Sequence, residues 1–241
     1  MAKVPLTKRT SASSSPNDEI WIVICAYNEK SALPAVLDEL SCYPYHIVVV
    51  DDGSSDGSVE LAKEYNLVWL RHICNLGQGA ALETGFTYIR EKTMAEYAVT
   101  FDGDGQHAVA DIQKLIDALI ASKSEVALGS RFLQGGTASN IPWNKKLLLK
   151  LAIWFTRIST GLHLTDTHNG LRAFTRGALM KIRISQNGMA HASEILSLIK
   201  QHALPYCEVP VSIKYSEYAM KKGQKLSNSI NILWEFFFGG H

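Results

Sequence analysis

The sequence has few cysteines, and none of them has a spacing typical of a metal or disulfide site. The four cysteines among 241 residues are scattered as Cys25, Cys42, Cys74 and Cys207, with no Cys-x-x-Cys pair. This pattern favours a reducing compartment over a disulfide framework. The histidines also lack metalloprotease spacing, and no Gly-x-Ser-x-Gly stretch marks a hydrolase nucleophile elbow.

A strong charge imbalance and a long hydrophobic run are also lacking. The formal net charge of +1 argues against a generally basic nucleic-acid-binding protein, so no nucleic-acid partner is expected. No run of 18 apolar residues could span a bilayer, and residues 1–19 are polar without the apolar segment of a signal peptide. We expect a disordered tail over residues 1–19 and a cytoplasmic protein, with peripheral contact at the inner face of the membrane.

Apolar runs of strand length alternate with helical patterns along the first half of the chain. The expected strands cover residues 20–25, 47–50, 67–70, 97–101 and 125–128. The expected helices cover residues 33–40, 59–65, 79–89 and 112–120, and Ser55 or Asp56 is the expected cap of the second. Strands that are apolar throughout and alternate with helices predict an α/β fold, with a mostly parallel central sheet and helices on both faces.

The stretch Phe101-Asp102-Gly103-Asp104-Gly105-Gln106 follows the fourth expected strand. Asp102 and Asp104 are two residues apart, so on an extended backbone both carboxylates point the same way. Mg²⁺ and Mn²⁺ favour oxygen ligands of this kind, and Gln106 adds a neutral oxygen on the same side. Taken alone, an Asp-x-Asp stretch is more often just an acidic turn that ends a strand, and the rest of the sequence is needed to favour a metal site.

Acidic residues follow three of the expected strands within a few positions. Glu29 follows the first, Asp51 and Asp52 the second, and Asp102 and Asp104 the fourth. Ligands bind at the carboxyl ends of the strands in sheets of this class. Three acidic clusters at one sheet edge would be costly without a cation or a hydrogen-bonding ligand. For Asp51 and Asp52 the alternative is a turn followed by a helix cap.

Five motifs occur in an order and spacing that resemble a known enzyme family. They are Ala26-Tyr27-Asn28-Glu29, Val50-Asp51-Asp52-Gly53-Ser54-Ser55-Asp56-Gly57, Asn75-Leu76-Gly77-Gln78-Gly79, Asp102-Gly103-Asp104-Gly105-Gln106-His107 and Gly129-Ser130-Arg131-Phe132. Together they resemble the inverting family-2 glycosyltransferases of the GT-A fold, in particular dolichyl-phosphate mannose synthase and its bacterial polyprenyl-phosphate relatives. The resemblance extends over about residues 20–231.

The resemblance implies a metal-dependent enzyme that moves a hexose from a UDP- or GDP-linked donor to a polyprenyl phosphate. The residues implied in nucleotide binding are Ala26, Tyr27, Glu29, Asp51, Asp52, Gly79, Asp102 and Gly103. Asp102, Asp104 and Gln106 would hold Mg²⁺ or Mn²⁺. The catalytic candidates are Asp104, Arg131, Asp166 and Glu194, and the candidates for phosphate or acceptor contacts are Arg131, Arg172, Lys222 and Lys225. The family often has a basic residue where Gln78 stands.

The second half of the sequence contains features with more than one interpretation. Residues 143–158 form a basic amphipathic pattern that suits an anionic membrane surface or a core-packing helix with a solvated face. Residues 218–225 are expected to form a flexible basic loop that contains Lys222 and Lys225. This loop either closes over the donor phosphates or is a solvated surface loop. Residues 226–241 form a C-terminal amphipathic helix that seals the core, makes a homo-oligomer contact or lies at a membrane interface. The catalytic domain is expected over residues 20–225.

Two other functions remain open on the sequence. A saccharide hydroxyl could be the acceptor, as in polysaccharide or lipopolysaccharide assembly, and Asp166 or Glu194 would then be the base. A non-glycosylating nucleotide-sugar-binding protein or a nucleotidyltransferase is the other alternative. In nucleotidyltransferases the first strand is usually followed by a loop rich in Gly and Arg/Lys, and the first expected strand here is not. A dehydrogenase is disfavoured because Leu82 stands at the third glycine position of a dinucleotide fingerprint.

Overall fold

A seven-stranded, mostly parallel sheet runs through the part of the chain that the structure describes. The computed structural model describes residues 19–135, 157, 161–167 and 169–213. The strands are β1 (Ile20–Ala26), β2 (His46–Asp51), β3 (Val68–Arg71), β4 (Tyr97–Asp102), β5 (Val126–Ser130), β6 (Arg172–Thr175) and β7 (Tyr206–Pro210). Their order is β3-β2-β1-β4-β6-β5-β7, and β6 is antiparallel to its neighbours β4 and β5.

Helices cover both faces of this sheet. They are α1 (Leu33–Ser41), α2 (Gln78–Lys92), α3 (Ala110–Ser122), α4 (Arg176–Lys181) and α5 (His191–Gln201). Alternate residues of β1 enter two separate buried clusters, with Ile22 and Ile24 facing α1 and α3, and Val23 facing α2, α4 and α5. Burial on both faces explains why β1 is a continuous apolar run, and the expected α/β fold class is confirmed.

The structure changes some of the expected elements. The second expected helix was wrong in type and cap, because Ser58–Lys63 is a 3-10 helix that follows Gly57 at φ 82° and has no side-chain cap. Asp56 instead accepts from the backbone N–H of Lys30 at 2.9 Å and of Ser58 at 3.0 Å, which closes a tight turn before that helix. The sequence patterns also did not indicate β6 or α4. Pro210 ends the edge strand β7.

Several expectations concern residues outside the described part of the chain. They are the tail over residues 1–19 apart from Glu19, the pattern over residues 143–158 apart from Arg157, the loop with Lys222 and Lys225, and the helix over residues 226–241. The proposed domain limits therefore stay predictions. Among the described residues, no helix combines the length and apolar character needed to cross a membrane.

Replacing Gly85 with alanine tests how closely α2 packs on the sheet. A Cβ atom at Gly85 would lie 2.5 Å from Cγ1 of Val23, which is far inside van der Waals contact. We expect Gly85→Ala to lower the free energy of unfolding by about 1–3 kcal/mol, because the helix must move away from β1. Urea denaturation measures this change.

Gly188→Ala is the matched control, because no atom lies within 4 Å of a Cβ atom built there. Its free energy of unfolding should stay within about 0.5 kcal/mol of the wild-type value. Equal stabilities of the two variants would contradict the close packing of α2 on β1.

Candidate active site

The chain reverses its direction across the sheet at the carboxyl ends of β1 and β4. From β1 it proceeds to β2 and β3 on one side, and then returns to β4 on the other side of β1. Such a reversal opens a crevice in which ligands bind in open α/β sheets. Asp102, the last residue of β4, is paired in register with Cys25 at this point.

Hydrogen-bond donors hold both oxygens of Asp102. Nε2 of Gln78 donates to Oδ1 at 3.2 Å, and Nε2 of the buried His107 lies 2.9 Å from Oδ2. Burial opposes ionisation, but the His107 hydrogen bond and nearby positive charge, including that of Arg172, hold the pKa of Asp102 below its ordinary value. The carboxylate of Asp102 is therefore ionised and fixed in position.

Asp104 has the opposite electrostatic environment. Burial and the charge of Asp102 raise its pKa above the ordinary value, although Gln106 donates to it from its backbone N–H at 3.0 Å and from Nε2 at 2.6 Å. Two neighbouring carboxylates that repel each other, each with lone pairs left on its oxygens, fit a hard divalent cation.

The described residues contain no cluster of three or more His, Cys, Asp or Glu side chains that could hold a metal. A Mg²⁺-type site needs only one or two carboxylates, because substrate phosphates supply further oxygens. Asp102 and Asp104 therefore fit as the carboxylates of such a site.

Hydrogen bonds join the loops after β1 and β2. The backbone N–H of Asn28, at φ 54°, donates to Oγ of Ser54 at 2.9 Å, and Oδ1 of Asn28 accepts from Ser55 N at 2.9 Å. Asp51 is fully buried, and its Oδ1 accepts from Ser54 N at 2.8 Å. Nε of Arg71 lies 3.2 Å from the other oxygen of Asp51. These contacts give the two loops a single shape.

Asp52 organises the next loop, between β3 and α2. Its Oδ1 accepts from Leu76 N at 2.9 Å and lies 2.7 Å from Nδ1 of His72, while its Oδ2 accepts from Gly77 N at 2.8 Å. Asp52 is only 3% exposed, whereas Tyr27 on the neighbouring loop is 46% exposed. A direct contact between Asp52 and a nucleotide stays a prediction, and its observed role is to hold residues 72–77 against the start of α2.

Glu194 and Gly79 position the segment before α5. Glu194 accepts from Ser185 N at 3.0 Å and from Gln186 N at 2.9 Å, so its carboxylate anchors this segment. Gly79, in the first turn of α2, donates from its N–H to the Asn187 carbonyl at 2.8 Å. A Cβ atom at Gly79 would lie 1.9 Å from the Gln186 oxygen, so only glycine allows this approach.

Arg131 and Asp166 form a two-point ion pair. Nε and Nη2 of Arg131 donate to the two oxygens of Asp166 at 2.6 and 2.8 Å, and the Asp166 side chain is fully buried. Glu208 on β7 accepts from the backbone N–H of Thr165 at 2.9 Å and of Asp166 at 3.3 Å. Before Asp166 could accept a proton from a substrate, its pair with Arg131 would have to open.

Arg172, at the start of β6, lies buried beside Asp102. Its Nε, Nη1 and Nη2 atoms donate to the carbonyls of Asn169, Ala192 and Thr167 at 3.1, 3.3 and 3.4 Å. Burial lowers its pKa to about 10, with Asp166 and Asp102 opposing the shift, so it stays positive at neutral pH. Arg172 and Asp102 line a cavity of about 90 Å³ between the sheet, α2 and α5.

Four residues of this region had no expected role in the sequence. They are His72, His107, Asn169 and His191. His107 closes the fourth motif, which was the one signal pointing to it. The other three are brought to the site by the folding of β6, α5 and the loop after β3. A single histidine or asparagine in the sequence does not reveal such a position.

The model of the family described as Glycosyl transferase family 2 matches residues 21–183. The chain belongs to this family. As a member of glycosyl transferase family 2 with the fold described above, it is a glycosyltransferase. The crevice between β1 and β4 is its candidate active site.

Named enzymes with similar sequences cover nearly the whole chain. The UDP-N-acetylglucosamine–dolichyl-phosphate N-acetylglucosaminyltransferase of Methanococcus voltae is 32% identical over 89% of this chain and 93% of its own length. The polyprenol monophosphomannose synthase of Mycolicibacterium smegmatis is 32% identical over 88% of this chain and 83% of its own length.

A solved structure shares the fold. Glucosyl-3-phosphoglycerate synthase from Mycobacterium tuberculosis, in complex with Mn²⁺ and UDP-glucose, superposes with a TM-score of 0.67 at 16% identity, over 90% of this chain and 76% of that one. This likeness agrees with the expected GT-A fold, and at this identity it is a likeness of fold alone.

Substituting Asp166 with asparagine tests the ion pair with Arg131. Asparagine keeps the side-chain shape but removes the negative charge and one acceptor oxygen, which leaves a mostly buried guanidinium poorly paired. We expect Asp166→Asn to lower the free energy of unfolding by about 2–3 kcal/mol. Chemical denaturation measures the change.

Glu125→Gln provides the comparison, because Glu125 pairs with the exposed Lys181 at 3.3 Å. This variant should lose less than about 1 kcal/mol. A loss at Asp166→Asn no larger than that at Glu125→Gln would show that the Arg131–Asp166 pair does not hold the segment before β6.

Proposed function

We propose that this chain transfers a hexose from a nucleotide-diphospho-sugar to a polyprenyl phosphate, with inversion at the anomeric carbon and with Mg²⁺ or Mn²⁺ as cofactor. The observation that carries the proposal is the pair Asp102 and Asp104 at the reversal point of the sheet. Asp102 is held ionised, and burial together with the negative charge of Asp102 makes ionisation of Asp104 less favourable than usual. A cation bound there would act as a Lewis acid and stabilise the negative charge of the leaving diphosphate.

The surrounding residues have complementary roles in this proposal. The loops that contain Tyr27, Glu29, Asp51 and Asp52 would form the nucleotide site, with the exposed Tyr27 ring facing the base and the buried aspartates fixing the loops. The first turn of α2, with Gln78 and Gly79, lies beside Asp102. Gln106 would support Asp104, to which it already donates two hydrogen bonds.

The positive charge near the site suits the anionic groups of both substrates. The buried Arg172 contributes a fixed charge beside Asp102. Arg131, on the loop after β5, could contribute its charge only if its ion pair with Asp166 opened. The candidates Lys222 and Lys225 would add charge from residues outside the described part of the chain. An inverting transfer requires the acceptor to attack from the face opposite the leaving diphosphate, so acceptor and donor phosphates need separate cationic contacts.

The state of the candidate bases favours a phosphate acceptor over a saccharide hydroxyl. A hydroxyl must lose a proton during attack, whereas a lipid phosphate is already anionic at neutral pH. Both oxygens of Asp166 are paired with Arg131, and Glu194 accepts hydrogen bonds from residues 185–186. The two similar enzymes named above carry dolichyl phosphate and polyprenol in their names, which supports the same acceptor class.

A transfer assay with two acceptors tests the reaction. The purified chain is incubated with Mn²⁺ and radiolabelled UDP-glucose, UDP-N-acetylglucosamine or GDP-mannose, and with either undecaprenyl phosphate or an oligosaccharide. We expect label to enter the lipid phosphate, with release of nucleoside diphosphate and no pyrophosphate. Transfer to the oligosaccharide alone would overturn the proposed acceptor, and release of pyrophosphate would indicate a nucleotidyltransferase.

Removing the Asp104 carboxylate tests the metal role. Asp104→Ala should lose Mn²⁺-dependent binding of UDP and reduce turnover by about 100-fold or more, because the diphosphate charge is no longer stabilised. Isothermal titration with and without Mn²⁺, together with the transfer assay, measures both effects.

Asp117→Ala is the control, since Asp117 is exposed on α3 and interacts there with Gln113 at 2.9 Å. Its turnover should stay within about twofold of the wild-type value. Wild-type-like turnover of a folded Asp104→Ala variant would refute the proposed metal site.

A further inference from the structure

The cavity beside Asp102 has polar walls that the proposed metal and phosphate roles do not use. Its 90 Å³ lie between β4, the segment before β6, α2 and the first turn of α5. Asp102, Arg172, Asn169 and His191 are among the residues that line it. Asn169 is 4% exposed and His191 is 6% exposed, so their polar atoms have little access to bulk water.

The hydrogen bonding of His191 defines which ring nitrogen can accept. Its Nδ1 atom lies 2.8 Å from the carbonyl oxygen of Gly188, and a carbonyl only accepts, so Nδ1 bears the hydrogen. Burial lowers the pKa of His191, which keeps the ring neutral near pH 7. In the neutral ring Nε2 is therefore an acceptor, and no described residue makes a hydrogen bond to it.

The amide of Asn169 offers a hydrogen-bond donor, whereas His191 offers an acceptor. Its Oδ1 atom accepts from the backbone N–H of Leu171 at 2.9 Å, which places the NH₂ group on the other side of the amide. This buried Nδ2 atom has no hydrogen-bond partner among the described residues. An unsatisfied buried donor is costly, and native proteins contain few of them.

We propose that Asn169 and His191 are specificity-determining residues that bind one hydroxyl group of the donor sugar. A hydroxyl both donates and accepts, so it can give its hydrogen to Nε2 of His191 and accept from Nδ2 of Asn169. A phosphate oxygen that bears no hydrogen could satisfy only the asparagine. The inference rests on the proposed function, because it takes the crevice at Asp102 as the nucleotide-sugar site.

The location selects the sugar over other hydroxyl-bearing groups. Asp102 lines the same cavity and is one of the two carboxylates proposed to hold the cation of the diphosphate. In a nucleotide-diphospho-sugar the hexose is attached directly to that diphosphate. The ribose is attached to the same diphosphate, but the nucleotide is assigned above to the loops after β1 and β2, whereas this cavity extends past β4 to β6 and α5. A hydroxyl of the hexose is therefore the group that reaches this cavity when the diphosphate lies at Asp102. A site that hydrogen-bonds a hydroxyl rejects an analogue that lacks it, because its own polar groups are then left unpaired.

Two conservative variants separate sugar recognition from nucleotide binding. Asn169→Asp keeps the acceptor for Leu171 and removes the donor, and His191→Asn keeps a donor for the Gly188 carbonyl and removes Nε2. Isothermal titration in Mn²⁺ compares UDP and GDP with UDP-glucose, UDP-N-acetylglucosamine and GDP-mannose, and the midpoint of thermal unfolding shows that each variant folds. We expect affinity for the free nucleoside diphosphates within about twofold of wild type, and about tenfold weaker binding of the nucleotide-sugar that wild type prefers.

A series of monodeoxy analogues of that nucleotide-sugar then identifies the hydroxyl. For one analogue, wild type should lose about tenfold in affinity while the variants lose nothing further, because the deleted group and the mutated residue form the same contact. Variants that lose as much affinity for UDP or GDP as for the sugar nucleotides would overturn the inference, as would variants that respond to every deoxy analogue as wild type does. A lower kcat with unchanged donor discrimination would overturn it too, because it would place the two residues on the acceptor side.

Failure of the proposed function gives a different result from failure of this inference. If wild type binds nucleoside diphosphates but none of the three sugar nucleotides more tightly, and transfers no sugar, then the proposed function is wrong and the inference falls with it. If wild type transfers sugar and the variants keep its donor discrimination, the proposed function stands and the inference alone is wrong.

Discussion

Buried carboxylates at the carboxyl end of the sheet require hydrogen-bond donors from within the chain, and the shape of the site depends on this requirement. Asp51, Asp52 and Asp166 are at most 3% exposed, and an unpaired charge at such positions would be very costly. Each one is compensated by backbone N–H groups or by a cationic side chain from a loop that lacks regular structure. The aspartates thereby attach loops to the carboxyl end of the sheet.

Asp102 and Asp104 differ from each other in how well their negative charges are compensated. Asp102 is compensated by His107 and Gln78, whereas the hydrogen bonds that the described residues give Asp104 come from the neutral Gln106. Burial and the charge of Asp102 therefore raise the pKa of Asp104, while the pKa of Asp102 stays low. Perturbed carboxylates of this kind cluster at functional sites, where a ligand can supply the missing charge. The opposite pKa shifts of Asp102 and Asp104 indicate a functional site more strongly than the Asp-x-Asp spacing does.

The fold could be predicted from the sequence further than the site could. Buried parallel strands such as β1 and β2 are continuous apolar runs, and the helices between them have a clear period, so their order and the polar residues at their ends are visible locally. The short strand β6 is not visible in the local sequence pattern. It begins with Arg172, and it pairs in antiparallel orientation with β4 and β5, which are distant in sequence. Asn169 and His191 reach the cavity through that pairing and through α5, so no local pattern could place them beside Asp102.

The close approach of backbone segments to Asp102 joins the two halves of the site into one unit. A Cβ atom at Gly170 would lie 2.5 Å from Oδ2 of Asp102, and Gly170 is the residue between Asn169 and the start of β6. The segment that presents the Asn169 amide therefore packs directly on the carboxylate proposed to bind the cation. Because folded interiors are close-packed, a shift of either group moves the other. The chemistry proposed at the diphosphate and the recognition proposed for the sugar would thus depend on the same few contacts between β4 and β6.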